Sequence, residues 1–345
     1  MKKLLTFLLS VAITVIPCLA LAGCSSATEI SFTKDFDAEY SLDYGNKETA
    51  VYNVSFNDNY DSTLRKNPKI TDSMLTFDTQ GTYTTVLSKE IGTVALYDGS
   101  NLASLNSPTV YRYTTTLSLN VTYTLNGGEQ QNVTDTITTE TFFLDKDYAY
   151  APIRSTTAYD CTHFSIGENP SANKLVYNAS VLYNKNGATS SVTTADASKK
   201  TSVEYTLKTL IDNTQLLFAL RNFTVAVNKS ATFAVKTYAY DKATYLRINN
   251  KGKSTLTLDD VTVSAVGSPA LDYNGEVSVP VKSYAFKIDE KYNTGINKLV
   301  FIQEDKVADK LCNRSIVCEY VEPVMSGATT VLGALVYKLS SFTVD

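Results

Sequence analysis

Tryptophan is absent and histidine occurs once, as His163, in these 345 residues. A single histidine excludes zinc centres built on paired imidazoles and most histidine-dependent catalytic sites. Charged residues make up 19% of the chain, below the usual quarter. Lys and Arg number 31 against 35 Asp and Glu, a net charge of −4, with no basic run, so nucleic-acid binding has no electrostatic footprint. There is no phosphate-cradling glycine loop, no nucleophile elbow and no internal repeat. What is plentiful is core material: 43% of residues are hydrophobic, which argues against global disorder.

The first feature present is a leader. Met1-Lys2-Lys3 is a positive start, and Leu4 to Ala22 is an apolar run interrupted by Thr6, Ser10, Thr14 and Pro17. It ends in Leu21-Ala22-Gly23-Cys24, with small residues directly before a cysteine. Those four residues resemble the lipobox of bacterial lipoproteins. The resemblance implies that residues 1–23 are a signal peptide and that Cys24 receives a diacylglycerol and becomes the mature N-terminus. Dropping Lys2 and Lys3 leaves 29 basic against 35 acidic residues, net −6. The competing reading is an uncleaved membrane helix, since the run is nearly long enough to span; Pro17 and the polar turn at Ser25-Ser26 oppose it. Two acyl chains anchor stably where one binds only marginally. The expected address is therefore extracytoplasmic, on the cell membrane or outer membrane, with residues 24–34 as the tether.

Of five cysteines, Cys18 leaves with the leader and Cys24 is acylated. Cys161, Cys312 and Cys318 then remain in an oxidising compartment. Cys312 and Cys318 form the most local pair, closing a loop around Asn313–Val317. Three pairings are open, and so is the alternative of three reduced, buried thiols.

The rest of the chain reads as all-β, mainly antiparallel, with one short helix. Tyr111 to Leu125 alternates over fifteen residues, with Tyr111, Tyr113, Leu117, Leu119 and Val121 on one parity and Arg112, Thr114, Thr116 and Ser118 on the other. That strand is about 50 Å long. Asn126-Gly127-Gly128 supplies a positive-φ hairpin turn, and Gln131 to Leu144 runs back. Before it, Thr49–Phe56, Ser73–Phe77 and Thr82–Ser88 are strand candidates. After it come 175–183, 203–207, Thr232–Tyr240, Thr244–Ile248, Thr255–Leu258, Val261–Ala265, Val277–Ile288, Leu299–Gln303, Ile316–Val321 and Thr330–Leu339. Ser165–Asn173 and Gly187–Lys200 read as loops. Asp212 can cap a helix over 213–221 that sets Leu216, Leu217 and Leu220 on one face. Strands this long require a tall, strongly curved sheet, either a half-barrel or sandwich-like. Residues 35–345 form the β-rich body, with an alternative boundary near 165–210.

From Asn213 onward the order of features is also familiar. The amphipathic segment Leu216–Phe223, the meander through Ala231–Tyr240 and Tyr245–Ile248, and Val279-Pro280-Val281-Lys282 before the last strands resemble half-barrel lipoprotein carriers and related envelope proteins. The resemblance covers roughly the last 130 residues and transfers no binding residue. It implies one antiparallel sheet wrapped round a helix, with acyl chains held in the concavity.

Chemistry is sparse. Cys161-Thr162-His163 is the one place where a nucleophile and a base share a strand face. Asp145 with Asp147, Asp259-Asp260 and Asp289-Glu290 are carboxylate pairs at expected turns. Asp58-Asn59-Tyr60-Asp61 offers oxygens without the glycine and distal glutamate of a calcium loop. The 23 tyrosines are the one surplus that suits a contact surface, since each joins an apolar ring to a polar tip. The leading expectation is a non-enzymatic lipoprotein, without cofactor or metal, whose curved sheet binds an apolar or amphipathic ligand or an envelope component. A deep apolar space between helix and sheet should then exist. The alternatives are a structural or adhesive module for cell-wall polymer or protein, and a thiol enzyme using Cys161 and His163.

Overall fold

The computed structural model describes residues 46–90, 109–145, 150–184, 187–204, 210–222, 225–236, 244–264, 271–288, 298–303, 311, 314–326 and 330–345. Residues 1–45, on which the expected leader, Cys24 and tether fall, lie outside these residues, as does Cys312. Fifteen strands form one sheet. The first eight are β1 (Lys47–Asn57), β2 (Leu75–Glu90), β3 (Val110–Leu125), β4 (Gln131–Leu144), β5 (Pro152–Ser165), β6 (Ser171–Asn184), β7 (Gly187–Thr193) and β8 (Ser198–Glu204). Then come β9 (Leu210–Asp212), a 3-10 turn over Asn213–Gln215 and the helix α1 (Leu216–Arg221). The chain finishes with β10 (Ser230–Lys236), β11 (Thr244–Ser264), β12 (Leu271–Ile288), β13 (Lys298–Gln303), β14 (Val317–Ser326) and β15 (Thr330–Val344).

The all-β expectation holds, and its clearest strand lies where periodicity places it. In β3 the buried residues include Tyr111, Tyr113, Thr115, Leu117, Leu119 and Val121, while Arg112, Thr116 and Asn120 face water. Asn126 and Gly127 take φ of 53° and 66°, and Gly128 donates to the Leu125 carbonyl at 2.9 Å. This is the two-residue turn with both central residues at positive φ, which matches strand twist. Some boundaries differ from expectation. The segments expected at 244–248, 255–258 and 261–265 belong to the single strand β11, and a gap between 77 and 82 is bridged within β2. Residues 187–193, expected as loop, form β7, because pairing with β6 along Ala179↔Val192 and Val181↔Ser190 outweighs weak local propensity.

Strand order is β8-β7-β6-β5-β4-β3-β2-β1-β15-β14-β13-β12-β11-β10-β9. First and last strands are neighbours, with Glu48 opposite Val344. β15 also pairs in parallel with β11 at Val263↔Phe342, so β11 to β15 close into a five-stranded barrel. The sheet is thus closed at one part, and β1 to β8 continue from it as a curved wall. Bulges at Asn250/Gly252 and Asp259/Val261 let the 21-residue β11 bend. The tip of the β5–β6 hairpin returns to the barrel: Ser326 Oγ donates to the Phe164 carbonyl at 2.8 Å and accepts from Ile166 N at 3.2 Å.

Candidate functional site

Among the described residues, two interior polar clusters bear on a candidate site. The first belongs to α1. Asp212 caps the 3-10 turn in a capping box with Gln215, its Oδ1 accepting from Thr214 N at 2.8 Å and Thr214 Oγ1 at 2.7 Å. Its Oδ2 accepts from Ser155 and Tyr183 hydroxyls on β5 and β6, each at 2.5 Å. Gln215 donates to the Tyr150 carbonyl at 3.0 Å. These bonds set the helix against the inner face of β4 to β6. All of Leu216–Leu220 is buried, not one face alone. Phe218 meets Phe143 at 4.7 Å, Tyr150 at 5.4 Å, Tyr113 at 6.1 Å and Tyr111 at 6.5 Å. At the helix end, Arg221 is bonded to Glu48 and donates to the Ser315 carbonyl at 2.6 Å, and Arg314 approaches the same carboxylate at 3.5 Å. The space around Phe218, where an apolar concavity was expected, is filled by side chains.

The second cluster lies where the wall meets the barrel. Cross-strand register aligns Val54, Tyr337, Tyr320, Val300 and Tyr284 in one rank over β1, β15, β14, β13 and β12. The adjacent rank runs Phe56, Leu335, Glu322. Lys298 Nζ donates to Glu322 Oε2 at 2.8 Å and to Tyr320 Oη at 3.0 Å. Tyr320 and Tyr337 hydroxyls donate to the two oxygens of Glu322 at 2.9 and 2.6 Å. Tyrosine rings extend the cluster along the wall: Tyr320–Tyr337 at 5.2 Å, Tyr337–Tyr83 at 5.3 Å and Tyr83–Tyr52 at 5.8 Å.

Burial by itself would lower the Lys298 ammonium, but Glu322 and Tyr320 reverse this and hold it above the ordinary lysine range. Burial likewise pushes Glu322 up, and Lys298 with the two phenols overcomes it, leaving the carboxyl below its usual value. Tyr320 and Tyr337 are both raised, first by burial and then by Glu322, so they stay neutral donors. Lys298 and Glu322 nevertheless keep 30% and 26% of their side-chain surface accessible. Tyr83 is half-buried, whereas Tyr52, Tyr320 and Tyr337 are buried. The charged pair is therefore partly exposed beside buried tyrosine rings.

Two strands from Glu322 along the rank of Phe56 and Leu335, the strand ends open into a largely polar cleft of about 430 Å³, where Asn57, Asp58, Lys66, Asp72, Thr76 and Asp78 stand beside Phe56, Phe77, Leu75 and Leu332. Phe56 meets Phe77 edge-on at 4.7 Å, and Phe164 from the β5–β6 tip meets Phe77 and Tyr123 at 5.1 Å each. Gly333 (φ 150°) makes this possible, since a Cβ there would lie 2.5 Å from the Phe56 ring.

The residues singled out in the sequence stand elsewhere. Cys161 is buried, its Sγ 3.6 Å from the Thr136 carbonyl, and burial followed by Asp135 pushes the thiol up to about 12. His163 Nε2 lies 2.7 Å from Tyr159 Oη, and burial lowers its pKa. The thiol is buried and unactivated, while the imidazole is exposed and bonded to Tyr159. Asp145 Oδ2 accepts from Thr109 N at 3.2 Å, and Asp260 Oδ1 from Gly275 N at 2.7 Å across the β11–β12 bulge, so both carboxylates bond backbone amides of the neighbouring strand segment. Asp147, Asp289 and Glu290 lie outside the described residues. Asp61 Oδ1 accepts from Thr63 N, Thr63 Oγ1 and Leu64 N, which spends it on its own turn. Among the described residues, no group of three or more His, Cys, Asp or Glu is placed to hold a metal ion. Cys318 is buried, and its pairing with Cys312 falls outside the described residues. The Lys298–Glu322 cluster carries no local motif; its only trace is Lys298 and Glu322 at inward positions of otherwise apolar strands.

On the opposite face of the wall, hydroxyls replace rings. Thr84, Thr116 and Thr138 align across β2, β3 and β4, beside the rank Thr82, Ser118, Thr136. A shallow depression of about 350 Å³ there is lined by Thr138, Glu140, Thr156, Asn178, Ser180 and Ser191. Among the described residues, no helix is long and apolar enough to cross a membrane.

No protein family and no curated protein matches the chain. Among solved structures it is similar to a beta-barrel-like protein of the domain of unknown function DUF1849 from Brucella abortus. The identity is 10% and the TM-score 0.44, over 88% of this chain and 98% of that one.

Proposed function

We propose that this protein is an extracytoplasmic lipoprotein, tethered through acylated Cys24, whose interior binds an apolar or amphipathic ligand without catalysing its conversion. The observation that carries this reading is the partly accessible Lys298–Glu322 pair, held by the buried Tyr320 and Tyr337, two strands from the cleft that Phe56 and Phe77 share with polar side chains. Ligand sites combine apolar walls with a few converging polar groups that fix orientation, and this arrangement has both. The space round α1 is filled, so the ligand's place is further along the same inner face, beside Lys298 and Glu322. Native mass spectrometry of the full chain released from detergent micelles tests the reading. The expected result is a lipid-sized adduct that leaves on denaturation. A bare protein mass, unchanged after exposure to monoolein and to oleate, would remove the reading.

A second reading rests on the opposite face. The ranked threonines of β2 to β4 form a hydroxyl surface, bordered by the paired charges of Arg112, Glu140 and Arg154, which suits a hydrated polymer of the envelope. Co-sedimentation with isolated cell walls tests it. Binding that survives Thr116→Val with Thr138→Val would count against it.

A further inference from the structure

We propose that the polymer taken by the hydroxyl face is anionic, with phosphodiester or carboxylate groups along a hydroxylated chain, and that Arg112 and Arg154 receive one of those groups. This inference rests on the polymer-binding reading above and adds the class of ligand. It begins from the shallow depression of about 350 Å³, whose lining includes Glu140, Thr156, Ser180 and Ser191. Cross-strand register places these four in a single rank with Lys200, over β4, β5, β6, β7 and β8. The rank runs across five strands, about 19 Å at the spacing of paired strands. Its middle is hydroxyl, and a charged group stands at each end.

The Glu140 end carries more positive than negative charge. One rank on, Arg112 and Arg154 flank Phe142. Arg112 Nε donates to Glu140 Oε2 at 2.7 Å, while Arg154 reaches Oε1 only at 3.4 Å. Two guanidiniums therefore share one carboxylate. Both lie over the Phe142 ring, 5.8 and 5.0 Å from its centroid, so the ring beneath holds them in place. They keep 46% and 35% of their side-chain surface accessible. A guanidinium carries five N–H donors, so Arg154 has donors left for a ligand oxygen. A neutral glycan would meet the hydroxyls but leave the surplus cation to water. An anionic group pairs with it through charge-assisted bonds that match the guanidinium fork. Lys200 is exposed at the far end of the rank. Asp160 and Asp135, beyond the depression, are held by Lys174 at 2.8 and 3.2 Å.

The test is surface plasmon resonance on the immobilised full chain, with a glycerol phosphate polymer, polygalacturonate and dextran as probes. The anionic probes should bind about tenfold or more tightly than dextran at low ionic strength, and the margin should shrink in high salt. The tighter of the two anionic probes tells phosphate from carboxylate. Arg154→Gln should weaken that probe about tenfold, and because Glu140 keeps Arg112 no charge is left unpaired. Lys69→Gln, on the exposed β1–β2 loop, changes the net charge equally and should leave binding unaltered. Dextran bound as tightly as the anionic probes, or equal losses from Arg154→Gln and Lys69→Gln, would overturn the inference. So would a chain that co-sediments with cell walls yet binds neither anionic probe, with the polymer reading left standing. Failure to bind any probe and to co-sediment with walls would overturn the polymer reading itself.

Discussion

Asp212 and Glu322 are both interior carboxylates held by hydroxyl donors, yet their surroundings differ. Asp212 is 1% exposed, accepts from Ser155, Tyr183 and Thr214, and joins the turn before α1 to β5 and β6. Glu322 accepts from Lys298, Tyr320 and Tyr337 but keeps 26% of its side-chain surface accessible. The first cluster is closed on itself and has nothing left to offer a ligand. The second is equally well bonded, and its charged pair is still partly exposed. Hydrogen-bond satisfaction alone does not distinguish a pin from a site; accessibility with unspent donors and acceptors does.

Substitutions sharpen that contrast, beginning with the largest effect. Phe218→Ala empties a ring that is 1% exposed and in contact with four others, and should cost about 3–5 kcal/mol in urea unfolding. Asp212→Ala orphans buried hydroxyl and amide donors and should cost about 3 kcal/mol, at about 1–3 kcal/mol for each group left unpaired. A loss under about 1 kcal/mol would mean that the helix is held by its apolar contacts only. Lys298→Met with Glu322→Gln, by contrast, should change the unfolding free energy by less than about 1 kcal/mol, because both charges go together. The same pair should alter ligand binding, which neither Phe218→Ala nor Asp212→Ala does directly.

Titration separates two carboxylates on opposite faces of β14. Glu319 is raised by burial, with Tyr60 donating at 2.6 Å from the β1–β2 loop, while Glu322 is lowered by Lys298. A raised carboxyl binds its proton more tightly folded than unfolded, so its contribution falls as pH rises from about 4.3 through the folded value. A lowered carboxyl does the reverse: its contribution is present above about 4.3 and is lost as pH falls through the folded value. Glu319→Gln should therefore gain on the unaltered protein as pH climbs from 4 to 7 in urea titrations; a constant difference would contradict the assignment. The smallest effect concerns Cys161. With its thiol pushed up to about 12, iodoacetamide at pH 8 should label it far more slowly in the folded protein than in urea. Equal rates would restore it as a reactive thiol.

Much of the fold was legible because period-two patterning is a local property. Tyr111–Leu125 declared its inward parity, Asn126-Gly127 its turn, and Asp212 with Gln215 its cap. β7 was missed because Gly187–Thr193 is short and small, and becomes a strand only through the edge that β6 offers. The candidate site was not legible at all. Tyr83, Lys298, Glu322 and Tyr337 come from four strands, and no spacing along the chain announces that they meet. Cys161 and His163 illustrate the converse: they are close in sequence and share a strand, but the hydroxyl of Tyr159 takes the imidazole and burial silences the thiol.

By itself the sequence determined the strand-rich class, the position of the single described helix and the parity of the longest strands, since each follows from contacts among near neighbours. Tertiary structure alone decided that β15 returns to β11 and closes a barrel, that Phe218 fills the space beneath the helix, and that a partly exposed lysine and glutamate meet. Those outcomes depend on register and curvature summed over fifteen strands, and so on distances that no local pattern encodes.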